Sequence, residues 1–553
     1  MRNWRFFLIV FFFLALGSGL IARLAILQII NHGFYKALAK GQQSLPSIST
    51  GERGDIFFTD KQGTQYTVAT TKKLPFVFLT PPEVKDQEIT VFALSEILDI
   101  SKETILKKLS RKESLFEVLK KRLTQEEQQK IENINLPGVY MRQENIRSYP
   151  YGTLASRTLG FINQDWEGQY GIEKYYEEYL EGKRGLEKTL RNVAGYLLSG
   201  QRDTLKDGKD LILTIDFNIQ SMAESLLQKA KESHDIKEGT IIVIDPTTGA
   251  ILTLANYPNF DPNTYSQVTD LSIFQNPAVQ KLFEPGSVFK PLTMASGIDA
   301  EKLTPATTYT DFGVVRIGGY KILNYDEQVW GERSMTEVLE FSINTGAVFA
   351  EAETGHQTFM DYVSRFGIFK PTKVDIAGEI YSQNKELKKG YEITYATASF
   401  GQGIEMTPMQ LVRAYSALAN NGYLITPHLL KQDTLPSEAV ISQRTASQIT
   451  AMLVSVTENG FGKSARVPGY YLAGKTGTAQ ISYSALGEQK SGYSDETMQS
   501  FIGYAPAFQP RFLTLVLLNN PQTKTAEYSA IPIFQELSKY ILDYYEIPHD
   551  YEL

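Results

Sequence analysis

Gly239-Thr-Ile-Ile-Val-Ile244-Asp245-Pro-Thr-Thr-Gly249-Ala250-Ile-Leu-Thr-Leu254 is the stretch on which the fold turns. Two apolar runs rich in β-branched residues flank a Pro-Thr-Thr-Gly turn, which reads as two buried strands. Upstream, Leu211-Ile-Leu-Thr-Ile215 reads as another buried strand, and residues 218–232 are helical in pattern. Downstream, helical spacing dominates from 287 to about 460, and apolar strands return at 470–481, 500–505 and 512–519. Strands at both ends of a region with helices between them predict one sheet closed by distant segments, an α+β fold.

Residues 35–205 have a different texture, rich in charge and Tyr with mixed short strands and helices. Within them, residues 101–135 alternate Leu and Ile with Lys, Arg and Glu at near-helical spacing, predicting two amphipathic helices broken near 110–114. Their Lys-rich faces read as solvated, and Leu136-Pro-Gly-Val139 ends the stretch in a turn.

The chain has 553 residues, enough for two or more domains with cores of their own. Its 42% hydrophobic and 21% charged residues are those of an ordered protein. A net charge of -7 leaves no basic footprint, so nucleic acid is not an expected partner. The absence of Cys excludes disulfides, thiolate nucleophiles and Cys-based metal sites. His32, His234, His356, His428 and His549 are scattered with no His-Glu-x-x-His, which argues against a His-based zinc hydrolase and against a His general base.

Arg2 and Arg5 precede residues 6–22, an uncharged stretch dominated by Phe, Leu, Ile and Val that residues 24–30 prolong. Such a run predicts a transmembrane anchor over 6–30 with residues 1–5 as a cytoplasmic tail and the remainder of the chain outside the membrane. A cleaved signal peptide is the rival, since Gly17-Ser18-Gly19 supplies small residues. The apolar helix continues past that site, which favours the uncleaved anchor.

Three short elements carry the chemistry. In Glu284-Pro-Gly-Ser-Val-Phe-Lys290-Pro291, a turn leads into an apolar run of helical spacing, placing Ser287 at a helix start with Lys290 one turn on. A serine hydroxyl attacks only when a base takes its proton, and a lysine is such a base once burial or a second cation lowers its pKa. Pro291 is tolerated there because the first helical turn leaves its N–H without a partner anyway. In Phe341-Ser342-Ile-Asn344-Thr345-Gly346, a hydroxyl and an amide two residues apart can both face a cleft. In Gly474-Lys475-Thr476-Gly477-Thr478-Ala479, two Gly within an apolar strand admit close approach of a ligand, and Lys475 with Thr476 and Thr478 can hold a carboxylate. Lys475 is also the second cation that can depress Lys290. A further Ser-x-x-Lys, Ser382-Gln-Asn-Lys385, lies in a polar Lys-rich stretch and reads as a surface loop.

In this order the three elements match the Ser-x-x-Lys, Ser-Asp-Asn and Lys-Thr-Gly signature, with Ile343 in place of the Asp. The chain resembles a class B penicillin-binding protein over nearly all its length. The likeness extends to Arg53-Gly-Asp-Ile, Tyr149-Pro-Tyr-Gly-Thr-Leu-Ala155, Gly168-Gln-Tyr-Gly-Ile-Glu173, Leu213-Thr-Ile-Asp216, Asp245-Pro-Thr-Thr-Gly249 and Ser399-Phe-Gly-Gln-Gly403. The resemblance implies a transmembrane anchor and an elongated mixed α/β pedestal over 35–205. It also implies a penicillin-binding transpeptidase domain over 206–548, an antiparallel sheet covered by helices. A helical insertion around 80–136 resembles the head region that contacts a polytopic, SEDS-type glycan polymerase. The short end after Phe534 is more similar to division-type than to elongation-type members.

The chemistry implied by the resemblance is D,D-transpeptidation of peptidoglycan stem peptides ending in D-Ala-D-Ala. Ser287 attacks, Lys290 takes its proton and Ser342 relays a proton to the leaving amine. Asn344, Lys475, Thr476, Gly477 and Thr478 bind the substrate, and the backbone N–H groups of Ser287 and Thr478 form the oxyanion hole. β-Lactams would acylate Ser287 in place of the donor, and no metal or cofactor is implied. A β-lactamase fits less well, because no Glu-x-x-x-Asn lies between Asn344 and Lys475. A D,D-carboxypeptidase shares the motifs and differs only in using water as acceptor. A non-enzymatic β-lactam sensor or division scaffold is at odds with intact Ser287, Lys290, Ser342 and Lys475.

Overall fold

The computed structural model describes residues 4–25, 44–182, 184–191, 197–198, 206–432 and 437–552. The chain divides into two compact units, residues 1–54 with 179–209, and residues 55–178 with 210–553.

The first unit holds a 22-residue helix, Trp4–Ala25. Its described side chains include exposed Phe11, Phe12, Phe13, Leu14 and Ile21. Among the described residues, no helix is long and apolar enough to cross a membrane. The anchor expected over 6–30 falls in part on residues 26–30 and on side chains that lie outside the described ones. Strands Ser44–Thr50, Arg184–Arg191 and Leu197–Leu198 pair antiparallel in that order.

In the second unit, β1 (Ile56–Thr59) and β2 (Gln65–Leu79) form an antiparallel pair. Helices α1 (Gln87–Leu98) and α2 (Lys102–Leu109), strand β3 (Glu117–Lys120), helix α3 (Gln125–Ile134) and strand β4 (Val139–Ser148) follow. The two amphipathic helices read from residues 101–135 are α2 and α3. The break between them is wider than expected, because Glu117–Lys120 adds to the sheet as a strand. Their apolar stripes meet that of α1 in one small core, where Ile105, Leu109 and Ile131 are buried with Leu94 and Leu98 of α1 and with Val77 and Leu79. Thr124 caps α3 in a reciprocal box with Glu127.

Strand β5 (Leu211–Asp216) pairs in parallel with β1, a partner about 150 residues earlier in the chain. It therefore belongs to a different sheet from the strands at 239–254. Asp216 accepts from the N–H groups of Asn218 and Ile219 and so starts helix α4 (Phe217–His234).

Strands β6 (Glu238–Ile244) and β7 (Ile251–Tyr257) come next. Helices α5 (Lys290–Asp299), α6 (Met335–Glu340), α7 (Asn344–Thr354), α8 (Pro408–Ala419) and α9 (Gln443–Asn459) follow. Strands β8 (Ala473–Ser482), β9 (Tyr493–Ala505) and β10 (Phe512–Asn519) and helix α10 (Ala530–Tyr544) complete the unit. The sheet runs β7-β6-β10-β9-β8, antiparallel throughout. The distant apolar strands thus close one sheet.

Alternation sorts its two faces. Ile241 and Val243 of β6, with Val516 and Leu518 of β10, pack against Ile219, Leu226 and Leu227 of α4 and Phe534 and Leu537 of α10. Residues of the other parity, among them Ile242, Leu515 and Leu517, are also buried, so both faces are covered. Helix α5 is buried from Lys290 to Ile298, and its polar Thr293 and Ser296 donate to the Ser399 and Leu292 carbonyls. Since β8 is an edge strand, the backbone groups on its outer side are left for something other than the sheet.

Candidate active site

Ser287 lies in a 3₁₀ turn, Gly286–Phe289, closed by a hydrogen bond from Lys290 N–H to Ser287 C=O. The sequence placed an α-helix start at Ser287; the α-helix instead begins at Lys290. Pro291 explains the difference. It has no N–H to donate to Ser287 C=O as an α-helix would require, so the preceding turn tightens to the i+3 pattern. In a 3₁₀ turn side chains three apart eclipse, which puts Ser287 and Lys290 on one side. Tyr415 Oη of α8 donates to Val288 C=O at 2.5 Å and pins the turn from below.

Lys290 is fully buried. Its Nζ donates to Ser342 C=O at 2.5 Å, Asn344 Oδ1 at 2.8 Å and Ser342 Oγ at 3.2 Å. Among the described residues no hydrogen bond reaches Ser287 Oγ. Burial, then the charge of Lys475, pushes Lys290 well below the ordinary lysine range. As a neutral amine it keeps two N–H donors for the Ser342 carbonyl and the Asn344 amide. Its lone pair is then free for a hydroxyl.

Ser342 is held at φ 55, in the left-handed region that costs a non-glycine residue about 1–2 kcal/mol. That turn aims both its carbonyl and its hydroxyl at Lys290. Asn344 opens α7, and its Nδ2 donates to Leu323 C=O at 2.9 Å, which fixes the amide with Oδ1 toward Lys290. Next to it, Thr345 Oγ1 donates to Asp311 Oδ1 at 2.6 Å. Asp311, buried, also accepts from Asn324 Nδ2 and from the N–H groups of Gly313 and Trp330. No periodicity or motif marks Asp311 in the sequence; its role arises only from the packed hairpins at 308–334.

Lys475, also fully buried, donates from Nζ to Ser342 Oγ at 3.0 Å, Thr476 C=O at 3.1 Å and Thr476 Oγ1 at 3.2 Å. Burial lowers it to about 7. Thr478 Oγ1 accepts from Ala526 N–H at 3.2 Å, leaving its own proton to donate into the cleft. Gly477 is where the strand meets the serine turn. A Cβ there would come within 2.5 Å of Ser500 Oγ and 3.0 Å of Val288 Cγ1. The Ser399-Phe-Gly-Gln-Gly403 segment supports the turn from another side, with Gly286 N–H donating to Gly401 C=O at 2.9 Å.

Ser287, Ser342, Asn344, Thr476 and Thr478 line one cleft of about 740 Å³. Lys290 and Lys475 lie behind its wall and reach Ser342 there. The arrangement can deprotonate a hydroxyl, pass a proton along Ser342 and hold an anion against Lys475. Among the described residues no group of three acidic or His side chains is placed to hold a metal ion.

The second Ser-x-x-Lys is not brought to this cleft; it lies in the irregular surface segment expected, with Gln383 and Lys385 exposed. Ser382 and Asn384 are buried. Ser382 Oγ donates to Glu405 Oε2, while Asn384 exchanges hydrogen bonds with the Glu405 backbone. The polar side chains serve the turn itself.

Comparison with known proteins agrees with the geometry. The penicillin binding protein transpeptidase domain matches residues 239–539, and the penicillin-binding protein dimerisation domain matches 48–213. Stage V sporulation protein D of Bacillus subtilis is 31% identical over 521 residues, 90% of this chain and 79% of that protein. Peptidoglycan D,D-transpeptidase FtsI of Escherichia coli is 29% identical over 539 residues, 94% of this chain and 88% of that protein. Penicillin Binding Protein 2X from Streptococcus thermophilus shares the fold, with a TM-score of 0.72 and 23% identity over 90% of this chain and 80% of that one.

Proposed function

This chain belongs to the class B penicillin-binding proteins and is a serine-type peptidoglycan D,D-transpeptidase; on that premise we propose the roles of its residues, its attachment and its partner. Ser287 Oγ attacks the carbonyl between the last two D-alanines of a stem peptide, and its proton passes to neutral Lys290. The C–N bond breaks as Ser342 gives its proton to the departing D-alanine amine and takes the one held by Lys290, leaving an ester on Ser287 and Lys290 neutral again. An amine of a second stem peptide attacks that ester, forms the cross-link amide and returns the proton to Ser287. The N–H groups of Ser287 and Thr478 stabilise the oxyanion in both steps. Asn344 orients the acyl part, and Lys475, Thr476, Gly477 and Thr478 take the terminal carboxylate.

The observation that carries this reading is the Ser342 hydroxyl shared between two buried lysines, 3.2 Å from Lys290 and 3.0 Å from Lys475. The test is labelling with a fluorescent penicillin: wild type should be labelled on Ser287, and Ser287→Ala should take up none. Labelling of the variant at another serine would overturn the assignment.

Three further features belong to the same reading. The sequence pattern over 6–30, with Arg2 and Arg5 before it, supports a cell-membrane anchor that leaves the catalytic unit extracytoplasmic. Domains at 35–205 and 206–548 carry the pedestal and the transpeptidase. In the insertion at 80–136, Ile89 and Phe92 of α1 are 58% and 60% exposed one turn apart, which suits contact with a SEDS-type polymerase at the division site. Co-purification from membranes followed by mass spectrometry tests that partner, and release of the chain by alkaline carbonate would count against the anchor.

A further inference from the structure

One loop at the rim of the cleft carries charges that no step above uses. It spans residues 520–529, between β10 and α10. Lys524, Thr525, Ala526 and Glu527 line the same cleft as Ser287 and Thr478. Lys524 is exposed and Glu527 half-buried. Among the described residues that line the cleft, these two are the only charged side chains, since Lys290 and Lys475 lie behind the wall. They stand three positions apart on the chain, and neither has an ion-pair partner among the described residues.

The loop is built to keep them there. Gln499, fully buried on β9, donates from Nε2 to Thr523 C=O at 2.8 Å. Its Oε1 accepts from Thr523 Oγ1 at 2.9 Å and from Ser529 Oγ at 2.5 Å. One amide thus clamps both ends of the segment 523–529. Between those ends, Ala526 N–H donates to Thr478 Oγ1 at 3.2 Å. The backbone that carries Lys524 and Glu527 is therefore fixed to Thr478, the residue whose own N–H faces the oxyanion in the mechanism above. A binding surface needs that kind of fixed support.

Charge decides what the loop can hold. A lysine and a glutamate close in the chain and unpaired are complementary to a group that carries a carboxylate and an ammonium together. In the proposed mechanism the donor's terminal carboxylate has its place on Lys475, Thr476 and Thr478. A further cation in the same cleft is then left for a second carboxylate. The attacking amine reaches the cleft at neutral pH as an ammonium, and Glu527 is the anion of the cleft wall that draws it in.

We propose that Lys524 and Glu527 form the acceptor subsite, and that it takes an amine bearing a carboxylate on the same carbon, as at the end of a diamino-dicarboxylic side chain. This deepens the transpeptidase reading and rests on it. Lys524 pairs with that carboxylate, and Glu527 holds the ammonium until it gives one proton to solvent. The neutral amine then attacks the ester carbon, the C–O bond to Ser287 breaks, and a second proton from the amine goes to Ser287 Oγ.

The test separates acylation from aminolysis. Benzoyl-D-alanyl-thioglycolate acylates Ser287 in the purified full chain, its thioglycolate carboxylate standing in for that of the terminal D-alanine. The acyl-enzyme is then offered D-alanine or D-alaninamide, the same amine with its carboxylate replaced by an amide. The readout is the yield of each amide product relative to hydrolysis. Each variant is compared with wild type, so the intrinsic reactivities of the two amines cancel. Lys524→Met should lower the D-alanine to D-alaninamide ratio about five-fold, the upper end for an ion pair at an exposed lysine. Lys524→Arg should keep the ratio, and Glu527→Gln should lower both amide yields together. An unchanged ratio in Lys524→Met, or unchanged yields in Glu527→Gln, overturns the subsite. So does a wild-type acyl-enzyme that is hydrolysed without forming either amide. If Lys524→Met instead slows acylation by the thioester and leaves the ratio alone, the charge serves the donor and the proposal also fails. A wild-type chain that the thioester does not acylate would strike the transpeptidase reading itself, so the two failures are distinct.

Discussion

Ser342 Oγ lies 3.0 Å from Lys475 Nζ, so the hydroxyl on the left-handed turn after α6 is tied to edge strand β8 by a lysine 133 residues further along the chain. The same oxygen lies 3.2 Å from Lys290 Nζ. One hydroxyl thus bridges two buried amines that would repel each other if both were charged. Burial is the larger cause of the lowered pKa of Lys290, and the charge of Lys475 is the second. The pair is arranged so that Lys290 gives up its proton first, which suits a base beside an anion-binding cation.

The pH dependence of acylation follows. Lys290 acts as base only when neutral, so the rate rises with pH through its folded-state pKa. Replacing Lys475 by Met keeps the volume and removes the repulsion. The pKa of Lys290 then rises, and the acidic limb of the profile moves to higher pH. The maximal rate should also fall roughly 10²-fold, the scale of one lost electrostatic contact in an active site. Stopped-flow acylation by benzylpenicillin across pH measures both effects, and an unmoved acidic limb would contradict the coupling.

Gly401→Ala should damage both stability and acylation. Gly401 has φ +82, and a Cβ there would lie 2.1 Å from Gly286 C=O oxygen, in the turn that carries Ser287. Left-handed strain and overpacking each cost about 1–3 kcal/mol. Gly63 shares that φ but has nothing within 4 Å of its Cβ position. Gly63→Ala therefore isolates the strain. The melting temperature should fall more for Gly401→Ala, and only that variant should slow penicillin acylation; equal behaviour would rule out the clash.

Much of this architecture could be read from the chain alone, and the reasons for the gaps are physical. Runs such as Ile241–Ile244 announce strands because burial on both faces leaves them without polar positions. Partner choice is another matter. Leu211–Ile215 looks like its downstream neighbours, yet it pairs with Ile56–Thr59, and only the assembled fold decides that. Glu117–Lys120 escapes notice because a four-residue strand between Lys-rich helices has no room for a period. In the site, Lys290 and Lys475 stand out because buried lysines need a reason, and their spacing to hydroxyls supplies one. Asp311, Tyr415 and Leu323 carry no such mark. Their work is to fix Thr345, the Val288 carbonyl and Asn344 through contacts made only in three dimensions.

Arg147 and Glu173 form an ion pair at 2.7 Å with side chains 3% and 0% exposed. Tyr149 Oη also donates to Glu173 at 3.2 Å. Breaking a buried ion pair by removing one partner costs about 3–5 kcal/mol. Arg147→Met and Glu173→Gln should each lower the unfolding free energy by that order, and the double variant by less than the sum. Denaturant unfolding of the four proteins measures the coupling, and strict additivity would show that the pair contributes nothing as a pair.

Glu224 should make stability depend on pH in the direction opposite to an ordinary ion-paired carboxylate. Burial pushes it up from 4.5 to about 7, although Ala155 N–H at 2.6 Å and Gln220 Nε2 at 2.8 Å donate to it and pull the other way. Between about pH 4.5 and pH 7 the folded chain keeps a proton that the unfolded chain has released. Stability therefore falls as pH rises across that window and levels off above it. Glu224→Gln cannot ionise, retains a carbonyl oxygen for the Ala155 N–H, and removes this contribution. The melting temperature of the variant should gain on that of the wild type as the pH rises through the window. Parallel curves for the two proteins would mean that the Glu224 carboxyl titrates alike in the folded and unfolded chain.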